Sequence, residues 1–341
     1  MEAPMIRRAL VTLAVLALAP SVAAAAPASR EPRLHPGDVS MLPSFVRRVE
    51  PSVVGLRVRA SEHGASAARL GTRRFGSGLV FDARGYAVTV SYLLLDAVAI
   101  EARGRDGRAV PARVVGIDFD TGLGVVKLEG AGPWPAAALG SSQGLAPGAR
   151  TGTVGVDEDN DLVAVAGSVQ AIQPFAAYWE YMLDRAVFVA PASPAWGGSA
   201  LVNDRGEVVG IASLRLGEAP HVNLAIPVEK FTGVRDELLA AGRVVSRPPR
   251  PWLGLYTVEA HGAVVVSDFS PVGPAAGAGF RKGDRIVGVN GVSVGTQREF
   301  YEQLWARRAG DTIEVAVQRA GGVVVIAVRS MDRQRLFRAG E

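Results

Sequence analysis

From Pro51 to Val209 the chain is written in short apolar runs, each closed by a turn signal that usually contains glycine. Pro51-Ser52-Val53-Val54-Gly55-Leu56-Arg57-Val58 alternates like a half-buried strand, and Gly78-Leu79-Val80-Phe81 leads into the turn Asp82-Ala83-Arg84-Gly85. Further strand-length runs cover 86–90, 100–103, 109–117, 124–128, 151–156, 162–172, 185–189 and 201–209. Many short β segments at close spacing predict a sandwich or a barrel. The lack of helical periodicity between them disfavours a doubly wound parallel sheet. Residues 61–74 carry no pattern and are expected to form a loop.

Helical spacing first appears over 228–242, with Val234, Leu238 and Leu239 in register and Gly242 placed as a stop. Ser246-Arg247-Pro248-Pro249-Arg250-Pro251 follows as a stiff joint, the clearest domain boundary in the chain. A chain of 341 residues can build a core on each side of it. The expected organisation is an export signal over 1–26, an arm over 27–44, a β-rich domain over 45–245, the joint over 246–251, a second domain over 252–333 and a tail over 334–341.

The export signal rests on Arg7-Arg8, a short apolar stretch after them and Ala23-Ala24-Ala25-Ala26 as a cleavage pattern. That stretch is too short for a permanent bilayer span, so the expected location is exported and periplasmic, with no stable membrane insertion. The chain has no cysteine, which removes disulfides, thiol nucleophiles and Cys-ligated metal. No His/Asp/Glu spacing matches a ligand set, and no cofactor motif is present. A net charge of +4 spread over the chain, with pairs such as Arg73-Arg74 and Arg307-Arg308 expected on solvated faces, gives no basis for nucleic-acid binding.

The chemistry-bearing stretch is Ala192-Ser193-Pro194-Ala195-Trp196-Gly197-Gly198-Ser199-Ala200-Leu201-Val202-Asn203, a glycine-rich turn feeding a strand. It resembles the active-site loop of chymotrypsin-like serine proteases of the HtrA/Deg branch, which reads Pro-Gly-Asn-Ser-Gly-Gly-Pro-Leu-Val-Asn. Phe75-Gly76-Ser77-Gly78-Leu79-Val80-Phe81-Asp82 resembles the opening strand of that family, and Leu201 to Ile211 and Leu224-Ala225-Ile226-Pro227-Val228 its last strands. The resemblance implies a mainly β protein: a chymotrypsin-like double β-barrel, followed by a C-terminal domain of α+β type.

Serine proteolysis needs a hydroxyl to attack, an imidazole to take its proton and a carboxylate to orient the imidazole. Aligned on the resemblance, these positions hold Gly197, Tyr92 and Gly122. A phenol with a pKa near 10 is a poor base at neutral pH, and glycine supplies no side chain. Ser199, two residues past the nucleophile slot, is a possible rescue nucleophile, with His221 the least implausible base; His35, His63 and His261 fall at no catalytic position. Asp120 would point from a different place than the family's carboxylate. Ala195 and Gly197 would supply the amides of an oxyanion hole. Trp196 would either fill the cleft or stand as a partly exposed loop aromatic. Phe175 to Tyr181, rich in aromatics, reads either as a subunit contact or as a satellite core cluster.

In the second domain, Gly273-Pro274-Ala275-Ala276-Gly277-Ala278-Gly279-Phe280 precedes Lys282-Gly283-Asp284-Arg285-Ile286-Val287-Gly288-Val289-Asn290-Gly291. A helix is predicted over 296–308, with Phe300, Leu304 and Trp305 on one side, and strands over 312–319 and 323–329. This resembles a bacterial PDZ domain. The resemblance implies binding of an extended peptide or protein C-terminus by strand addition, with the terminal carboxylate on backbone amides of Trp252-Leu253-Gly254-Leu255 and the helix as a wall. A PDZ domain with a blocked groove, used only for packing, is the alternative.

Three functions follow as expectations. The first is an inactive HtrA-like pseudoprotease that binds peptides or protein C-termini as adaptor, regulator or chaperone-like factor in envelope quality control. The second is a divergent serine endopeptidase working through Ser199. The third is a structural subunit that assembles, as a trimer, with itself or with an active paralogue.

Overall fold

The computed structural model describes residues 43–336; the expected export signal, nearly all of the arm and most of the tail lie outside them. Twelve strands build the first domain: β1 (Val53–Ala60), β2 (Arg73–Asp82), β3 (Tyr86–Val90), β4 (Ala97–Arg103), β5 (Ala109–Asp118), β6 (Leu123–Leu128), β7 (Arg150–Val156), β8 (Leu162–Ala177), β9 (Tyr181–Ala190), β10 (Ala200–Val202), β11 (Val208–Leu216) and β12 (Val222–Pro227). They close into two antiparallel barrels, ordered β1-β2-β3-β6-β5-β4 and β10-β11-β12-β9-β8-β7. Closure leaves neither sheet with an open edge.

One continuous core joins the barrels. Leu56, Leu79, Val88 and Val125 of the first pack in the same cluster as Val154, Ile211, Leu224 and Ile226 of the second. Val46 and Val49 of the helix Ser44–Val49 enter it too. The active-site-like loop is fixed between the barrels by backbone: the Ser77 amide donates to the Gly197 carbonyl at 2.7 Å. A Cβ on Gly198 would collide with the Ser77 carbonyl oxygen, so only glycine passes so close to β2.

Three expectations for the first domain need correction. The stretch 61–74 contains a turn of helix, Ala67–Leu70, and the start of β2. Arg74 is not on a solvated face: it is buried, and its guanidinium donates to the carbonyls of Tyr92 and Leu95 at 3.0 and 2.7 Å and to Ser66 Oγ at 2.6 Å. Those partners balance the cost of burying the cation. The segment 228–242 forms two short helices, Val228–Thr232 and Arg235–Ala241, because the chain leaves helical geometry at Val234 (φ −124°, ψ −6°). Gly242 ends the second one in the left-handed conformation.

The second domain is built from β13 (Pro251–Trp252), β14 (Leu255–Ala260), β15 (Ala263–Phe269), β16 (Arg285–Val289), β17 (Val292–Ser293), β18 (Thr312–Arg319), β19 (Gly322–Arg329) and β20 (Met331–Asp332). The sheet runs β14-β15-β16-β18-β19, with β17 beside β16, and a separate pair β13-β20 closes the domain near the joint. Its helix spans Gln297–Trp305 rather than 296–308. Thr296 and Glu299 form a reciprocal capping box at its start, so Thr296 is the cap and not the first helical residue. Phe300, Tyr301 and Leu304 bury the helix against Leu253, Val266 and Val289. The joint is clamped as well: Arg247 and Arg250 each reach Asp120 at 3.1 Å, and Arg247 also pairs with Asp118.

Candidate functional site

A cleft of ≈ 1820 Å³ runs across the barrel junction towards the second domain, and Tyr92, Gly122 and Gly197 all line it. Tyr92 sits in the one-turn helix Ser91–Leu94 that follows β3. Gly122 follows the Asp118–Thr121 turn, and its carbonyl accepts the Ser91 amide at 2.8 Å. Gly197 enters from the loop before β10. A Cβ on Gly197 would lie 3.0 Å from the Tyr92 hydroxyl. Sequence alignment and folding thus bring the three positions to one place.

What stands there is phenolic. The Tyr92 hydroxyl donates to the Ser213 carbonyl at 2.8 Å, and burial pushes this phenol above its usual range. Gly122 has φ +75°, and a Cβ on it would lie 2.9 Å from the Tyr181 hydroxyl, which in turn donates to the Thr121 carbonyl at 2.9 Å. Tyr181, from the start of β9, therefore fills the space beside Gly122 where a carboxylate side chain would extend. Two phenols with committed protons offer neither a base nor a nucleophile at neutral pH.

Ser199 points elsewhere. It is fully buried, its hydroxyl donates to the Ala195 carbonyl and lies 3.3 Å from Ser77 Oγ, and it packs over Gly155 of β7. His221 keeps its Nδ1 at 2.8 Å from the Gly217 carbonyl on an exposed turn. The Ala195 amide donates to Ser193 Oγ at 3.2 Å. Trp196 is half-buried and lines the cleft. Asp120 belongs to the joint clamp described above. Among the described residues, no group of three or more His, Asp or Glu side chains converges to hold a metal.

The second candidate site is the loop Trp252-Leu253-Gly254-Leu255. Gly254 has φ +77°, and a Cβ there would press on Gly273 at 3.0 Å and on Ser270 Cβ at 3.2 Å. That conformation turns the neighbouring amides to one side. Leu253 and Leu255 bury their side chains in the domain core, and Trp252 is buried against the cleft. Beside the loop, β14 is an edge strand of its sheet, facing the helix Gln297–Trp305 across a groove.

The aromatic stretch 175–181 is found in this groove. It is the tip of the β8–β9 hairpin, a three-residue turn Tyr178-Trp179-Glu180 between the paired residues Ala177 and Tyr181. Sequence reasoning left it as a subunit contact or a satellite cluster; the structure makes it an intramolecular domain contact. The Thr257 amide of β14 donates to the Tyr178 carbonyl at 2.9 Å, and Tyr178 packs edge-on against Tyr256. Glu180 was missed entirely, since a lone acidic residue in a turn carries no motif.

The match to known families divides at the same joint. Residues 76–211 match the trypsin-like peptidase domain family and residues 251–329 match the PDZ domain family. Serine endoprotease DegS of Salmonella typhimurium is 29% identical over 298 residues, covering 80% of this chain and 81% of that protein. A putative serine protease, HhoB, of Synechocystis is 25% identical, covering 86% of this chain and 79% of its own. Among solved structures, a serine endoprotease from Yersinia pestis superposes with a TM-score of 0.53 at 27% identity, covering 84% of this chain and 96% of that one. The HtrA-type protease AlgW bound to a decapeptide superposes with a TM-score of 0.53 at 23% identity, covering 85% and 98%.

Proposed function

The chain belongs to the HtrA family of trypsin-like proteins that carry a PDZ domain, and from that premise we propose that it is a non-proteolytic member that recognises polypeptides. One observation carries this reading: at the positions that align with the family's catalytic groups, the chain presents Gly197 and Gly122 faced by the hydroxyls of Tyr92 and Tyr181. Loss of nucleophile or base alone costs roughly a million-fold in turnover, and losing the remainder adds little. The rescue through Ser199 is disfavoured by its burial and by the acceptor its proton already has.

Recognition is supported separately. The loop of inward-turned amides, the edge strand β14 and the helix Gln297–Trp305 form the apparatus by which such domains take a free C-terminus as an added strand. An adaptor or holder of exposed protein ends, working in the cell envelope, fits this apparatus. A relative from Marinomonas is named a probable periplasmic endoprotease, and among the described residues no helix is long and apolar enough to cross a membrane.

The test is a casein-hydrolysis assay on purified protein beside an active-site serine probe. Turnover at background and no labelling are the expected results. Cleavage that follows the protein through purification and is abolished by Ser199→Ala would establish the endopeptidase instead.

A further inference from the structure

Glu180 has a place that neither domain's family pattern explains. Its carboxylate accepts the Leu255 amide at 2.8 Å and the Leu253 amide at 3.1 Å, the same amides that line the loop Trp252–Leu255. The turn that carries it lies along the groove. The Tyr178 carbonyl takes the Thr257 amide, as the backbone of an added strand would. On the other wall, the Tyr301 hydroxyl donates to the Ala177 carbonyl at 2.6 Å and receives the Glu180 amide at 3.1 Å. Gln297 Nε2 reaches Thr257 and bridges the two walls.

We propose that the β8–β9 turn is an internal occupant of the PDZ groove, with the Glu180 carboxylate standing in for the α-carboxylate of a protein C-terminus, so that an external C-terminus must displace it. This deepens the recognition reading above and rests on it.

Two further observations favour a built plug over a chance contact. Glu180 is buried and holds φ +56°, at the third position of a three-residue hairpin turn where glycine or asparagine is ordinarily preferred. The chain accepts that strain to put a carboxylate there. The rest of the contact is lined for fit: Ala176 and Met182, flanking the turn, pack on the PDZ core. Away from the groove, Arg69 stacks on Tyr256 at 3.9 Å and pairs with Asp268 at 2.8 Å, steadying the same domain arrangement.

A tethered occupant competes at an effective concentration on the order of millimolar or above. An external peptide then binds with its affinity reduced by the fraction of molecules whose groove is open. The ligand class is a polypeptide with a free terminal carboxylate; an amidated end lacks the second oxygen that two amides require, and an internal segment supplies it only from an acidic side chain held as Glu180 is.

The experiment compares full-length wild type with Glu180→Gly, which removes the carboxylate and suits the turn's backbone, and Glu180→Gln, which keeps the shape. The probe is a pool of decapeptides randomised at their last four positions, prepared with free and with amidated C-termini. Expected is at least tenfold tighter capture of the free-acid pool by Glu180→Gly than by wild type, an intermediate gain for Glu180→Gln, and no gain for the amidated pool. Amide exchange at Leu253 and Leu255 should rise in Glu180→Gly without peptide. Free-acid capture of equal strength in wild type and variants, with unchanged exchange, overturns the plug while leaving recognition intact. Faster exchange with no capture by any variant makes the contact a permanent domain joint, overturning the displacement and the recognition reading together.

Discussion

The barrel cleft and the PDZ groove have diverged in opposite ways. The cleft keeps the loop before β10 pinned to β2 by Ser77 and Gly197, and presents Gly197 and Gly122 beside the hydroxyls of Tyr92 and Tyr181. The groove keeps its reactive surface, the amides of Leu253 and Leu255, but is filled by the molecule's own turn. The two changes meet in one hairpin. Tyr181 closes the space beside Gly122, and the preceding residue, Glu180, closes the groove. Chemistry and recognition are therefore tied through one short turn, and moving it should disturb both sites at once.

The largest effect comes from attempting to restore the cleft. Grafting Tyr92→His, Gly122→Asp and Gly197→Ser supplies all three groups by type. Even so, the carboxylate side chain introduced at Gly122 would start 2.9 Å from the Tyr181 hydroxyl on a backbone at φ +75°. The triple variant should remain at background in a casein assay, short of a working triad by roughly a million-fold. Adding Tyr181→Ala should raise activity above the triple variant. If the triple variant alone cleaves casein, the cleft was never sterically closed and only the atom types mattered.

A pH effect on the groove sharpens the comparison from the other side. Burial pushes the Glu180 carboxyl up to about 7, against the pull of the loop amides and of Arg333; the Tyr301 phenol is the other titratable group at its side. A carboxyl whose pKa is raised in the docked state stabilises docking fully below its free value, near 4.5, and loses that contribution as pH rises through 7. Exchange at Leu253 and Leu255, corrected for its intrinsic pH dependence, should speed up between pH 6 and pH 8 by roughly tenfold. A C-terminal carboxylate, with a free pKa of about 3.5, is already ionised there and gains in the competition. A flat profile identical to that of Glu180→Gln would separate docking from ionisation.

How much of this could be read from the chain divides by the range of the interactions. The strand runs, the proline joint and the glycine-anchored loops are local signals, and they are enough to read the fold class and to nominate two candidate sites. The positions Tyr92, Gly122 and Gly197 fall together because the loop motifs fix register within a known kind of barrel. Tyr181 and Glu180 do not announce themselves, since their partners lie 60 and 75 residues away, at Thr121 and Leu255. Arg74 misled for the same reason. Its charge suggested solvent, but the carbonyls at Tyr92 and Leu95 that hold it are assembled only when β2 meets the helix after β3.

That buried arginine gives a middling prediction. It supports the segment carrying Tyr92 from behind, so Arg74→Ala takes a donor from three carbonyls, those of Gly71, Tyr92 and Leu95, and from the Ser66 hydroxyl. A loss of about 2–4 kcal/mol is expected in chemical denaturation, felt in the first barrel. The groove, held from the other barrel, should keep its amide protection under native conditions. Equal loosening at Leu253 would mean that the cleft and the groove form a single cooperative unit.

The smallest effect separates a structural serine from a catalytic one. Ser199 lies fully buried under the loop, with its hydroxyl given to Ala195 and close to Ser77, whose own Oγ receives the Val156 amide at 3.0 Å. Ser199→Ala removes one donor and leaves the Ala195 carbonyl short of a partner, worth about 1 kcal/mol. The Ser77–Val156 bond remains, so the barrels should stay joined. The expected outcome is a midpoint shift of a few degrees at most, with casein turnover and peptide capture both at wild-type values. A hydroxyl that served as nucleophile would show the reverse, a stable protein with its activity abolished, and the contrast between an emptied cleft and a filled groove would then fail on its first half.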